Sequence, residues 1–295
     1  LYTDRKNRMV EVDVASKSKR TVMQNPGGEF HGVSYSPDSQ WITYTKEAKN
    51  NMSVVYVYHL LTKQEIAVTE NWYDSSMPVF SNDGKYLIFT SARDFNPTYG
   101  QLEWNHTYSN MNGVYMAMLS KETPSPLLPT DGQANAPKKD DAPAVSVQVD
   151  ANGIFGRIIK LPLRPGYYRN FFCDGKKLYY NSGRDTKAFD FKTQKEETVA
   201  EGASFSLTPG SKKALFSKRG QMFVCDFPAA KANMKDAISL KDMVAHVDYS
   251  EEWAQIYDEV WRAYRDGFYL ENMHGIDWKA IKKKYEVLVP YAKTR

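Results

Sequence analysis

Side chains able to do chemistry are scattered through this sequence, but one stretch gathers several. Between Ala92 and Asn112, ARDFNPTYGQLEWNHTYSNMN places Arg93, Asp94, Tyr99, Trp104, His106 and Tyr108 close together. A guanidinium offers a two-pronged fork to a carboxylate, and aromatic rings offer packing area. The mixture suits contacts with the backbone and side chains of a peptide better than bond breaking. Arg93, Asp94, Tyr99, Trp104 and His106 are therefore candidate substrate contacts. The competing reading is packing, with Arg93 and Asp94 paired to neighbours and Trp104 plugging a gap between elements. His31, His59, His106 and His246 match no catalytic pattern, and no serine sits in a Gly-x-Ser-x-Gly elbow. No metal constellation or phosphate loop is present, so no catalytic residue, metal ligand or cofactor is assigned. Cys173 and Cys225 lie far apart in strand-like segments and read as buried free thiols.

The elements that must position these residues repeat. SYSPDSQWITYT, from Ser34, and VFSNDGKYLIFTS, from Val79, share a serine, an aspartate two residues on, a turn, and an alternating apolar run. Aligning Ser36 with Ser81 gives a period of 45 residues. CDGKKLYYNS and LTPGSKKALFS repeat the pattern more loosely. Each run is followed by a second strand, as in VVYVYHL, GVYMAML, KAFDF and QMFVCDF, with MVEVDV at the start of the chain. Shorter segments such as TKQEIAVT and TQKEETVA then follow. Four short strands per 40–45 residues is the signature of a β-propeller blade, and Asp-Gly supplies the positive φ of a tight hairpin. The chain reads as mainly β, with about four and a half blades over residues 1–247: a half blade at 1–23, then 30–69, 78–163, 167–200 and 203–244. A propeller must close to cover its edges, so this count predicts a piece of a larger ring whose earlier blades are missing. Two segments interrupt the period. One is the long 92–112 loop, expected to emerge on one face of the ring. The other is TDGQANAPKKDDAPA, whose composition reads as a linker.

Composition sets the remaining limits. The chain has 295 residues, 42% hydrophobic and 25% charged, with a net charge of +4. That balance implies neither nucleic acid nor a membrane surface, and no apolar run approaches the roughly 18 residues of a membrane helix. Aromatic content is 14%, with 20 tyrosines, which favours strands.

From Asp248 the period changes. Trp253, Ile256, Tyr257, Val260, Trp261, Tyr264 and Phe268 recur at helical spacing, with Asp248 or Ser250 as cap and Gly267 near the end. A second helix is expected behind Asp277, with Trp278, Ile281, Tyr285 and Leu288 on one face and a stop near Pro290. Residues 248–295 thus form a separate helical segment, whose aromatic faces two helices alone cannot bury.

The stretch DYSEEWAQIYDEVWRAYRDGFYLENMHGIDWKAIKKKYEVLVPY resembles the start of the catalytic region of tricorn-type peptidases, relatives of the tail-specific serine peptidases. The shared order is Trp253 in the first helix, the Arg265-Asp266-x-Phe268-Tyr269 run, then Asn272-Met273-His274-Gly275-x-Asp277-Trp278 before a helix containing Tyr285. ARDFNPTYGQLEWNHTY and VDANGIFGRIIKLPLRPGYY are similar to segments of bacterial tricorn homologues, so the resemblance covers essentially the whole chain. It implies a seven-bladed ring, peptide substrates, and a parent serine peptidase that assembles into a homo-oligomer. It also implies a periplasmic location, with the cytoplasm as the alternative. The family's histidine base and serine nucleophile lie in later motifs that nothing here matches. His274 is accordingly read as structural, and the chain is expected to be the non-catalytic portion, with the propeller as substrate filter, channel or docking wall. Two other readings stay open. One is a propeller binding module without enzymatic activity. The other is a prolyl-oligopeptidase-type enzyme, against which the helices at 250–290 argue.

Overall fold

The structure is a computed structural model that describes residues 1–102, 105–128, 145–207 and 212–292. It divides into two compact units, Leu1–Ile238 and Ser239–Arg295.

The first unit is built from five antiparallel sheets in chain order. The first holds β1 (Tyr2–Thr3), β2 (Arg8–Val12) and β3 (Lys19–Gln24). The second holds β4 (His31–Tyr35), β5 (Trp41–Glu47), β6 (Ser53–His59) and β7 (Glu65–Ala67). The third contains β8 (Ser75–Phe80) and β9 (Tyr86–Ser91). It is interrupted by a two-stranded ribbon, β10 (Pro97–Tyr99) and β11 (His106–Tyr108), and completed by β12 (Gly113–Met118) and β13 (Ile158–Lys160). The fourth holds β14 (Tyr168–Cys173), β15 (Lys177–Ser182), β16 (Asp185–Asp190) and β17 (Lys195–Ala200). The fifth holds β18 (Ser204–Leu207), β19 (Lys213–Lys218) and β20 (Gln221–Asp226). The fifth blade was expected to run to residue 244, but its strands end at Asp226 because PAAKANMK lacks the alternation that would bury one face.

Side-chain alternation on the central strands explains the stacking. Leu87 and Phe89 enter the core shared with Trp41, Val55 and Val57 of the second sheet. The intervening Tyr86 and Ile88 enter the core shared with Leu178 and Tyr180 of the fourth. In β15 the alternate residue Tyr179 turns instead to Phe205, Phe216 and Phe223 of the fifth sheet. Met9 of the first sheet packs on Ile42, Tyr44 and Tyr58 of the second. Strands β5, β9 and β15 are buried on both faces, which is why WITYT and YLIFTS read as unbroken apolar runs. Four apolar cores thus join five sheets in sequence, the face-to-face blade packing of a partial β-propeller.

The repeated turns match in detail. In the second sheet the Ser36 backbone bonds Trp41, and the Ser36 hydroxyl donates to Asp38 at 2.5 Å while accepting the Trp41 N–H at 2.9 Å. In the third, Ser81 does the same with Asp83 and Tyr86 at 2.6 and 3.0 Å. Ser39 (φ 58°) and Gly84 (φ 71°) hold the same left-handed position. Asp174-Gly175 also joins a first strand to a second, but the turn is tighter: the Asp174 N–H bonds the Lys177 carbonyl directly, with no serine involved. Pro209 and Gly210, expected in the equivalent fourth turn, lie outside the described residues, as do residues 130–144 of the expected linker.

In the second unit, α1 (Tyr249–Gly267) is capped by Asp248, whose carboxylate accepts the Ser250 and Glu251 N–H groups. Asp277 caps α2 (Trp278–Glu286) in the same way through Lys279 and Ala280. The helices are joined by a reciprocal exchange: the Trp261 indole donates to the Trp278 carbonyl at 2.9 Å, and the Trp278 indole to the Trp261 carbonyl at 3.0 Å. No residue of either helix is buried, and Trp253, Ile256, Val260, Tyr285 and Leu288 line an apolar groove of about 590 Å³.

Candidate functional site

The 92–112 stretch leaves the third sheet between paired residues Ser91 and Gly113. It was expected as a loop, but it folds into the β10–β11 ribbon, with Pro97 opposite Tyr108, Thr98 opposite Thr107 and Tyr99 opposite His106. Threonine side chains bond across the ribbon at 3.0 Å, and the Tyr99 and His106 rings meet edge to face at 5.1 Å. Phe95 and Tyr108 pack at 5.2 Å. The ribbon is nonetheless a surface feature: Tyr99 is 72% exposed and Leu102 99%.

Arg93 and Asp94 sit at the base of this ribbon, on the sheet. The Arg93 Nε donates to the Ser91 hydroxyl at 3.0 Å, and Ser91 also accepts the Ser75 hydroxyl at 2.9 Å. The guanidinium lies 5.0 Å from the Tyr115 ring centre and 5.8 Å from that of Tyr73. Tyr115 is 7% exposed. Burial first, and then the Asp94 charge, push its hydroxyl up to about 12, with Arg93 opposing. Asp94 is ion-paired to Lys160 of β13, and its backbone N–H bonds the Met111 carbonyl at 3.0 Å. Its second carboxylate oxygen occupies the space that a Cβ on residue 113 would need, 2.5 Å from the built position. A side chain at residue 113 would have to displace that carboxylate and crowd Tyr115 and Lys160.

The five candidates therefore fall into two groups. Arg93 and Asp94 are fixed at the base, Tyr99 and His106 face each other on the exposed ribbon, and Trp104 lies outside the described residues. Tyr73, Tyr115, Ser91 and Lys160 were not anticipated. The register gives the signal that could have found Tyr115: with Ser91 paired to Gly113, Arg93 and Tyr115, each two residues further along the chain than one of that pair, meet at the root of the insertion. His274, read as structural, accepts or donates one bond at 2.6 Å with the Tyr269 hydroxyl and packs against Phe268.

A stack of three- and four-stranded blades carrying an exposed ribbon, followed in sequence by a capped helix pair, defines a β-propeller protein with a C-terminal helical unit. The chain belongs to the tricorn protease family: residues 1–228 match the model of the tricorn protease second beta propeller domain, and residues 249–295 match that of the tricorn protease C1 domain. It is 21% identical over 309 residues to tricorn protease homolog 1 of Streptomyces coelicolor, covering 94% of this chain and 29% of that protein. It is 24% identical over 307 residues to the tricorn protease of Thermoplasma volcanium, covering 96% and 29%. A crystal structure of the tricorn protease superposes with a TM-score of 0.82 at 20% identity, over 99% of this chain and 31% of that one. The chain thus spans less than a third of the length of the relatives it matches, and it is the propeller and C1 portion of a tricorn-type protease.

Proposed function

We propose that this portion receives and sorts peptides for a serine peptidase whose cutting residues lie in other parts of the protein. The observation that carries this reading is the exposed β10–β11 ribbon on a rigid blade. Aromatic side chains project from it while its root is locked to the sheet by Asp94 and Lys160. Binding groups on a loop held by a rigid scaffold are the usual way such folds present a site. Tyr99, His106, Phe95 and Tyr108 supply apolar and hydrogen-bonding contacts to an extended peptide, and Arg93 supplies a cation at the root.

Two measurements test it. The 295-residue chain is expected to hydrolyse no peptide, and hydrolysis that vanished in His274→Ala would overturn both this reading and the structural role of His274. In the whole enzyme, replacing residues 96–108 by a short turn is expected to slow cleavage of long peptides more than that of a small chromogenic substrate. Equal slowing of both, with unchanged thermal stability, would remove the sorting role.

A further inference from the structure

Arginine 93 is held firmly yet keeps its charge available. Its Nε is bonded to Ser91, which is itself fixed by Ser75. Its guanidinium rests on Tyr115, and that ring also stacks with Phe89 with centroids 6.1 Å apart. Tyr73 flanks it from the connection before β8. Among the described residues, its remaining nitrogens have no hydrogen-bond or ion-pair partner. The nearest carboxylate in sequence, Asp94, is turned away to Lys160 and into the gap left by Gly113. Asp94 thus serves Lys160, and Arg93 is left without an anion of its own among the described residues at the root of the ribbon.

We propose that Arg93 is a carboxylate-binding site, an anchor that takes a terminal or side-chain carboxylate of a peptide lying along the ribbon. A planar fork presents parallel N–H donors that match a carboxylate in both spacing and charge. Stacking between tyrosine rings has already removed the freedom that a surface arginine loses on binding, so more of the interaction appears as affinity. Tyr73, against the guanidinium, and its chain neighbour Trp72 are both exposed and offer apolar surface to the group that carries the carboxylate. The peptide part of this inference rests on the function proposed above; the carboxylate part rests on the geometry alone.

The test uses the 295-residue chain and three otherwise identical peptides measured by calorimetry. One has a free C-terminal carboxylate and no acidic side chain, one is C-terminally amidated, and one is amidated with a single Glu. At least one carboxylate-bearing peptide is expected to bind about 10-fold or more tightly than the plain amide, as a charged hydrogen-bonded pair implies. Which one does so identifies the source. Arg93→Gln should abolish the difference, and Arg93→Lys, which keeps the charge and loses the fork, should reduce it several-fold. In parallel, acetate is titrated against matched chloride while the Arg93 Nε–H resonance, assigned by its loss in Arg93→Lys, is followed by NMR. An acetate-dependent shift without peptide binding upholds the anchor and sinks the peptide-sorting reading. Equal affinity for all three peptides together with an unmoved resonance overturns the anchor, as does a carboxylate preference that survives Arg93→Gln.

Discussion

The Asp38 carboxylate accepts the backbone N–H of Val147 at 2.8 Å, across 109 residues of chain. The Trp41 indole, three residues on, donates to the Val147 carbonyl at 3.1 Å, so both backbone polar groups of Val147 are held by one turn and the strand that leaves it. Val147 in turn lies against Gly84 of the next turn. The repeated Asp turn thus does more than reverse the chain: it fastens the segment returning from the long excursion onto the second and third blades.

Removing that clamp should loosen residues 145–150 before anything else. Asp38→Ala is expected to cost about 1–3 kcal/mol, because it strands the buried Val147 N–H. Hydrogen exchange should accelerate at Val147 and Asp150 and stay unchanged in β15 and β19. The pH dependence has a definite sign. Burial raises the Asp38 carboxyl, but the Ser36 hydroxyl and the Val147 and Gln40 N–H groups outweigh it and hold it below its ordinary 3.8. A depressed folded value gives stability that is fully present above the ordinary value and is lost as pH falls through the depressed one. The difference between the parent and Asp38→Asn should therefore shrink below about pH 4. A constant difference down to pH 2.5 would mean the carboxylate charge plays no part.

Serine 39 and Gly84 occupy one left-handed position in two blades, and their exchange should be asymmetric. Gly84→Ser places a Cβ 2.9 Å from the Val147 side chain at φ 71°, and should cost roughly 1–3 kcal/mol. Ser39→Gly relieves a strained residue that no close neighbour requires, and should change stability by less than about 1 kcal/mol, in the stabilising direction. Two denaturant midpoints decide it, and equal losses from both substitutions would show that the turns are not equivalent.

How far the sequence shows this depends on the kind of contact. Alternation and turns were legible because they are local: Ser36 to Trp41 and Ser81 to Tyr86 carry the pattern within six residues. The helix caps Asp248 and Asp277 were legible for the same reason. A second repeat was hidden. The first strand slips register at Gly32, Met77 and Asn170, all with positive φ, at matching places in three consecutive four-stranded sheets. Glycine, methionine and asparagine share no sequence signature, so only the backbone shows the bulge. Tyr44 with Glu65 and Lys46, and Tyr180 with Glu196 and Lys187, repeat a cluster in which a buried tyrosine meets a carboxylate and an ammonium at the surface, and which depends on cross-strand register. At the candidate site the sequence supplied Arg93 and Asp94. Tyr73, Tyr115 and Lys160 come from three other strands or connections and could not be paired without the register.

The Trp261–Trp278 exchange predicts where the helical unit yields. Trp278→Phe keeps most of the ring but removes one donor and leaves the Trp261 carbonyl only its partner within the helix, a loss of about 1 kcal/mol. Limited proteolysis of the whole chain should then cut faster between residues 262 and 277, with cleavage in the propeller unchanged. Unaltered protection of that connection would show that the apolar contacts between the helices suffice without the exchange.

Tyrosine ionisation offers a test of the blade cores as a set. Burial, the leading cause in each case, pushes Tyr86, Tyr115, Tyr168 and Tyr179 up to about 12. Tyr44 and Tyr180 are displaced further upward because their hydroxyls also donate to Glu65 and Glu196. A tyrosine whose folded value is raised contributes stability that is fully present below its ordinary value near 10 and is lost as pH rises toward the folded one. Absorbance at about 295 nm should thus report a late class among the 20 tyrosines, these six, that ionises only as the blades unfold. Tyr180→Phe should remove one member of the late class and destabilise the chain by about 1 kcal/mol, since Glu196 keeps Lys187 as a partner. A single transition near pH 10 for all 20, with the far-ultraviolet dichroism unchanged, would contradict the burial of these hydroxyls and the packing of the sheets built on it.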